Sequence, residues 1–123
     1  MQDLLIDLDN TVYPEDSNIF AQIDLKMKSF IASEIGARRL LMLTDVKGVI
    51  GKNNKVISEL KLIEINQLIS KKIIYGGMIP KVKTCVEAVK AGIRASVILD
   101  GRLNNVILKE LLSDKGIGTL FRK

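Results

Sequence analysis

No tryptophan occurs among the 123 residues, and the aromatic content is only 4%. Base-stacking platforms for single-stranded nucleic acid are therefore not expected, and any core must be aliphatic. Cys85 is the sole cysteine, so no intrachain disulfide can form, which fits a reducing cytoplasm. Asp3 and Asp7 break the apolar start, so no signal peptide is expected, and no stretch is apolar for long enough to span a membrane. The chain also lacks internal repeats, low-complexity linkers and dense basic blocks. Its net charge of +5 and pI near 9.4 attract anions. Because the basic residues are dispersed and no recognition motif accompanies them, a nucleotide is a better partner than nucleic acid.

Hydrophobic residues make up 47% of the sequence, enough for one compact domain or at most two very small ones. Apolar runs alternate with amphipathic stretches. Leu4-Leu5-Ile6 leads into Asp7-Leu8-Asp9, an apolar run ending in acids at alternate positions, as at a strand tip. Two such carboxylates can hold Mg²⁺ or act as nucleophile and general acid/base. A helical stripe follows from Ile19 to Ile31 and ends at Gly36. Leu40 to Leu43 reads as a buried strand closed by Thr44-Asp45-Val46, and Gly48, Gly51, Asn53 and Asn54 mark a turn or small hairpin. Helical spacing returns at Leu62, Ile65, Leu68 and Ile69. Ala95 to Leu99 is a second buried strand, Val106 to Leu112 a further helix, and Gly116 to Phe121 a last short strand. This alternation predicts an α/β fold, a three-layer α/β/α sandwich with a mainly parallel sheet. Ligands of such sheets gather beyond the carboxyl ends of the strands.

The stretch Gly76-Gly77-Met78-Ile79-Pro80-Lys81 organises the candidate site. Its glycines allow a tight turn, Pro80 suits the first turn of a helix, and Val82, Cys85, Val86 and Val89 continue at helical spacing to Gly92. Free amides, the positive end of the helix dipole and the Lys81 ammonium would converge on a phosphate. Taken alone, the same residues also read as a plain loop followed by a solvated lysine. Asp45 has two readings as well: it holds a lysine or nucleotide, or it caps the turn after its strand.

The text Leu5-Ile6-Asp7-Leu8-Asp9-Asn10-Thr11-Val12-Tyr13-Pro14 resembles the start of haloacid dehalogenase-like phosphatases of the pyrimidine-nucleotidase-like branch. That resemblance implies Asp7 as nucleophile and Asp9 as acid/base with Mg²⁺. It covers only about the first 35 residues, and no downstream motif of that family is recognisable. From about Ala37 to Phe121 the chain resembles the C-terminal half of acetylglutamate kinases, of the amino-acid kinase family. The matching motifs are Leu43-Thr44-Asp45-Val46-Lys47-Gly48-Val49, Ile57-Ser58-Glu59-Leu60, Gly76 to Val82, Ile98-Leu99-Asp100-Gly101-Arg102 and Gly116-Ile117-Gly118-Thr119-Leu120. The resemblance implies a partial amino-acid kinase fold and ATP-dependent phosphorylation of N-acetylglutamate in arginine biosynthesis. It further implies Mg²⁺·ATP held by Thr44, Asp45, Val46, Gly48, Gly76, Gly77, Met78, Ile79 and Lys81, with Lys81 stabilising charge on the transferring group. Two segments are expected: a phosphatase-like strand and helix over 1–36 that docks on the same sheet, and a kinase-like nucleotide lobe over 37–123. The family's N-terminal half, with its acetylglutamate site, has no counterpart in this text, and Lys61-Leu62 replaces a Thr-Pro helix start. The expected partners are the nucleotide and either a second copy or a kinase subunit.

Overall fold

The computed structural model describes residues 4–8, as a strand, and residues 37–123. The five strands are β1 (Leu4–Leu8), β2 (Arg39–Thr44), β3 (Glu59–Lys61), β4 (Ala95–Asp100) and β5 (Thr119–Arg122). The helices are α1 (Ile65–Ser70), preceded by a 3₁₀ turn at Leu62–Glu64, α2 (Met78–Lys90) and α3 (Val106–Leu112). The strands form one sheet in the order β1-β2-β4-β5-β3. β1, β2 and β4 run parallel, with Leu4 opposite Arg39 and Thr44 opposite Asp100. β5 is antiparallel to β4, and β3 is parallel to β5. The sheet is thus mainly parallel, with one reversal.

Period-two alternation in β2 and β4 explains the two covered faces. Met42 and Ile98 point to one side, where Val82 and Cys85 of α2 join Val49, Ile65, Ile74 and Phe121 in an aliphatic cluster. Leu41, Leu43, Val97 and Leu99 point to the other side and pack on Val106 of α3. Cys85 is fully buried in the first cluster, as its place on an apolar helix face requires. α2 ends as expected at Gly92, which adopts φ +113°. The Gly92 N–H donates to the Val89 carbonyl and the Ile93 N–H to that of Ala88, the paired bonds of a Schellman cap.

Several local expectations are refined. Pro80 lies in the first turn of α2, but the helix starts two residues earlier, at Met78. β3 is a three-residue strand that overlaps the end of the Ile57 to Leu60 motif, with Leu60 buried between exposed neighbours. The missing Thr-Pro start is offset by Glu64, whose carboxylate accepts the Lys61 N–H at 2.9 Å.

At one point two strands touch backbone to backbone. A Cβ on Gly118 would lie 2.0 Å from the Ile98 carbonyl oxygen, so only glycine lets β5 enter the sheet beside β4. Among the described residues, no helix is long and apolar enough to cross a membrane.

Candidate functional site

β2 and β4 end side by side, and the Gly101 N–H donates to the Thr44 carbonyl at 2.8 Å, so the loops that follow both strands leave from one edge. Thr44 is buried, and its hydroxyl accepts the Val46 N–H at 3.1 Å. Thr44 therefore turns the chain here through its own hydroxyl. The Asp45 side chain stands out at the edge, where Lys81 Nζ donates to its Oδ1 at 3.3 Å. This hydrogen bond and the ammonium charge hold the Asp45 carboxyl below the usual carboxylate range, and the more distant Arg102 acts in the same direction. The Lys81 side chain is only 20% exposed, so its ammonium is held at one place on the edge.

Beyond Asp45 the chain folds back as a hairpin over residues 49–57. Ile50 bridges Val56, and the Ile57 N–H donates to the Val49 carbonyl at 2.8 Å. Thr119, at the start of β5, pins both arms. Its hydroxyl accepts the Val49 N–H at 2.9 Å and donates to the Ile57 carbonyl at 2.7 Å. Gly48, at φ +143°, is the approach to this contact; a Cβ there would lie 2.6 Å from the Thr119 oxygen.

Between this hairpin and the start of α2 lies a cleft of about 720 Å³. Of the residues the sequence singled out, Asp45, Val46, Gly48, Gly77, Met78 and Lys81 line it. Thr44 and Ile79 instead support it from behind, Thr44 through its turn and Ile79 through the aliphatic cluster. Gly76, at φ +55°, makes the bend that brings Gly77 to the cleft.

The expected row of free amides is cut short at the start of the helix. The Met78 N–H donates to Tyr75 and the Ile79 N–H to Gly76, both at 3.2 Å, because the turn closes on itself before the helix begins. Pro80 has no N–H to offer. The positive character of the cleft comes instead from side chains. Lys52 on the hairpin and Lys71 and Lys72 after α1 share the cleft with Lys81, against one carboxylate, that of Asp45. In the sequence these lysines look like separate solvated residues; their only signal is proximity to the turn glycines Gly51 and Gly76. The remaining wall is apolar and includes Val49, Ile50 and Ile73, with the exposed Tyr75 at its margin.

A second ion pair completes the edge. Asp100 accepts Arg102 Nε on Oδ1 and Nη2 on Oδ2, both at 2.8 Å, as well as the Arg102 N–H at 3.1 Å. This fork pulls the Asp100 carboxyl down to about 2 against the opposing effect of its burial, and it raises Arg102 in turn. Of Asp7 only the strand position is described, opposite Met42, and Asp9 lies outside the described residues. Among the described residues no group of three or more potential metal ligands is found.

The model of the amino acid kinase family matches residues 26–100. The chain belongs to the amino acid kinase family. The matched span starts upstream of Ala37, within the text first set beside phosphatases. Acetylglutamate kinase of Pelagibacter ubique is 50% identical over 93 residues, which is 76% of this chain and 32% of that enzyme. The chain thus spans about a third of the length of the curated relatives it matches. N-acetylglutamate synthase of Neisseria gonorrhoeae, solved with coenzyme A and L-arginine, shares the fold at TM-score 0.72 and 23% identity, over 80% of this chain and 23% of that one. Carbamate kinase of Giardia lamblia bound to AMP-PNP superposes at TM-score 0.57 with 26% identity, over 77% of this chain and 30% of that one. The amino acid kinase fold seen here is accordingly part of a larger architecture in each of these proteins.

Proposed function

We propose that this chain supplies the nucleotide-binding part of an acetylglutamate kinase, which phosphorylates the side-chain carboxylate of N-acetylglutamate with ATP. The observation that carries this reading is the Lys81–Asp45 pair at 3.3 Å on the rim of a lysine-lined cleft at the carboxyl end of the sheet. The identity to acetylglutamate kinases over 93 residues and the likeness to a kinase bound to AMP-PNP support it.

The cleft has the two halves a nucleotide needs, an apolar wall and a cationic floor. Phosphoryl transfer demands positioning and positive charge more than covalent chemistry. Lys81, anchored beside Asp45 at the rim, is within reach of phosphates bound in the cleft, a role suited to a compact ammonium on a flexible stem. Lys52, Lys71 and Lys72 add a field that draws the triphosphate in. Mg²⁺ enters as part of Mg·ATP and is held chiefly by phosphate oxygens. The acyl substrate is expected to be bound by other parts of the enzyme, which the relatives' additional length provides.

Calorimetric titration with ATP, with and without Mg²⁺, tests the reading. Lys81→Ala should weaken binding by about tenfold or more, the loss expected for one charge-assisted contact. Equal affinity in the wild type and in Lys81→Ala would overturn it. An assay for ADP release in the presence of N-acetylglutamate then shows whether the chain turns over alone or only with a partner subunit.

A further inference from the structure

The opposite rim of the sheet carries a second charged cavity. It encloses about 580 Å³ and is lined by Arg38, Arg39, Arg94 and Arg122 above an apolar floor that includes Leu111 and Leu120. Arg39 begins β2, Arg94 directly precedes β4, and Arg122 ends the antiparallel β5, so the sheet's single reversal brings these three to one rim. The backbone fixes the arrangement. The Arg38 carbonyl accepts the N–H groups of Arg94 and Ala95 at 3.1 and 3.4 Å, joining the corner before β2 to the corner before β4.

Four guanidinium groups around one cavity repel each other. Glu59 pairs with Arg122, whereas Arg39 and Arg94 make no ion pair among the described residues. Guanidinium is the cation best matched to a planar or tetrahedral oxyanion, because its N–H groups form a rigid fork. The leucine floor adds a place for a short carbon frame. The Lys81 cleft is a full strand away, since six residues of β2 separate the two rims by roughly 17 Å at about 3.3 Å per residue.

From this placement we propose a second ligand site at the amino-terminal rim of the parallel strands. It takes a small multivalent oxyanion on a short carbon frame, either a di- or tricarboxylate or a phosphate ester. Its ligand is held by Arg39 and Arg94, with Arg38 and Arg122 at the flanks. The site is independent of the nucleotide cleft and of the function proposed for it.

Calorimetry on the full chain tests this, with citrate and glycerol phosphate as separate probes, sodium chloride matching the ionic strength throughout, and circular dichroism confirming that each variant is folded. The wild type should bind at least one probe, and the tighter one identifies the carboxylate or the phosphate class. The double variant Arg39→Gln/Arg94→Gln should bind it at least about tenfold more weakly, and Arg39→Lys/Arg94→Lys, which keeps the charge but loses the fork, should fall between. Lys81→Ala should leave this binding unchanged. Absence of binding by both probes, equal affinity in the Gln double variant, or loss in Lys81→Ala would overturn the proposal, the last by placing the anion in the lysine cleft.

Discussion

Acidification should loosen the site's edge through one carboxylate. Asp100 ends β4, is 5% exposed, and accepts three hydrogen bonds from Arg102. In the folded protein its pKa falls from 3.8 to about 2. Because the folded value lies below the unfolded one, the unfolded chain takes up the proton first. The stabilisation is therefore complete above about pH 4 and disappears as the pH falls through about 2. A difference of a little under two units, at about 1.36 kcal/mol each, corresponds to roughly 2 kcal/mol. Arg102 is 63% exposed, and solvent screening reduces the figure to about 1–2 kcal/mol. Urea unfolding of the wild type and Asp100→Asn across this range measures it directly. The wild type should be the more stable by that amount near neutral pH, and the gap should close toward pH 2. Asp45, also depressed but open to solvent, serves as the control: Asp45→Asn should leave most of the wild-type acid sensitivity in place. A gap between wild type and Asp100→Asn that is the same at both ends of the range, or no gap at all, would refute the assignment of this stability to the Asp100–Arg102 fork.

Gly118→Ala should lower the urea midpoint by an amount equivalent to about 3 kcal/mol, the upper part of the usual overpacking range, since the new methyl meets a strand carbonyl that cannot rotate away. Thr119→Val keeps the shape but leaves the Val49 N–H and the Ile57 carbonyl without their side-chain partner. It should cost about 1–3 kcal/mol in chemical unfolding and speed hydrogen exchange at Val49. Phe121→Ala removes the largest fully buried side chain among the described residues, and a fall of about 3–5 kcal/mol in the same assay is expected.

The elements that could be read in advance are those whose local pattern and tertiary role agree. Leu40 to Leu43 and Val97 to Leu99 are continuous apolar runs because both faces of their strands are covered, and α2 shows its buried stripe at helical spacing. β3 escaped because three residues with a single inward leucine carry no period; its strand character comes entirely from pairing with β5. The reversal at β5 is equally silent, since strand direction depends on how the preceding loop returns and not on the residues of the strand. At the site, Asp45 was legible as a partner for a lysine, but its 36-position separation from Lys81 hid which lysine that is. The lysine floor was hidden for the same reason. Lys52, Lys71 and Lys72 become neighbours only when the hairpin folds over the end of β2. The amides of Met78 and Ile79 misled in the other direction, because a glycine turn that looks open can spend its donors on its own carbonyls.

The hydroxyl of Thr119 makes one wall of the cleft depend on a single side chain. One atom on the same short strand that ends in Arg122 holds both arms of the hairpin that walls the lysine-lined cleft. Both arms therefore share one fastening to the sheet, and neither can part from it without the other losing its partner.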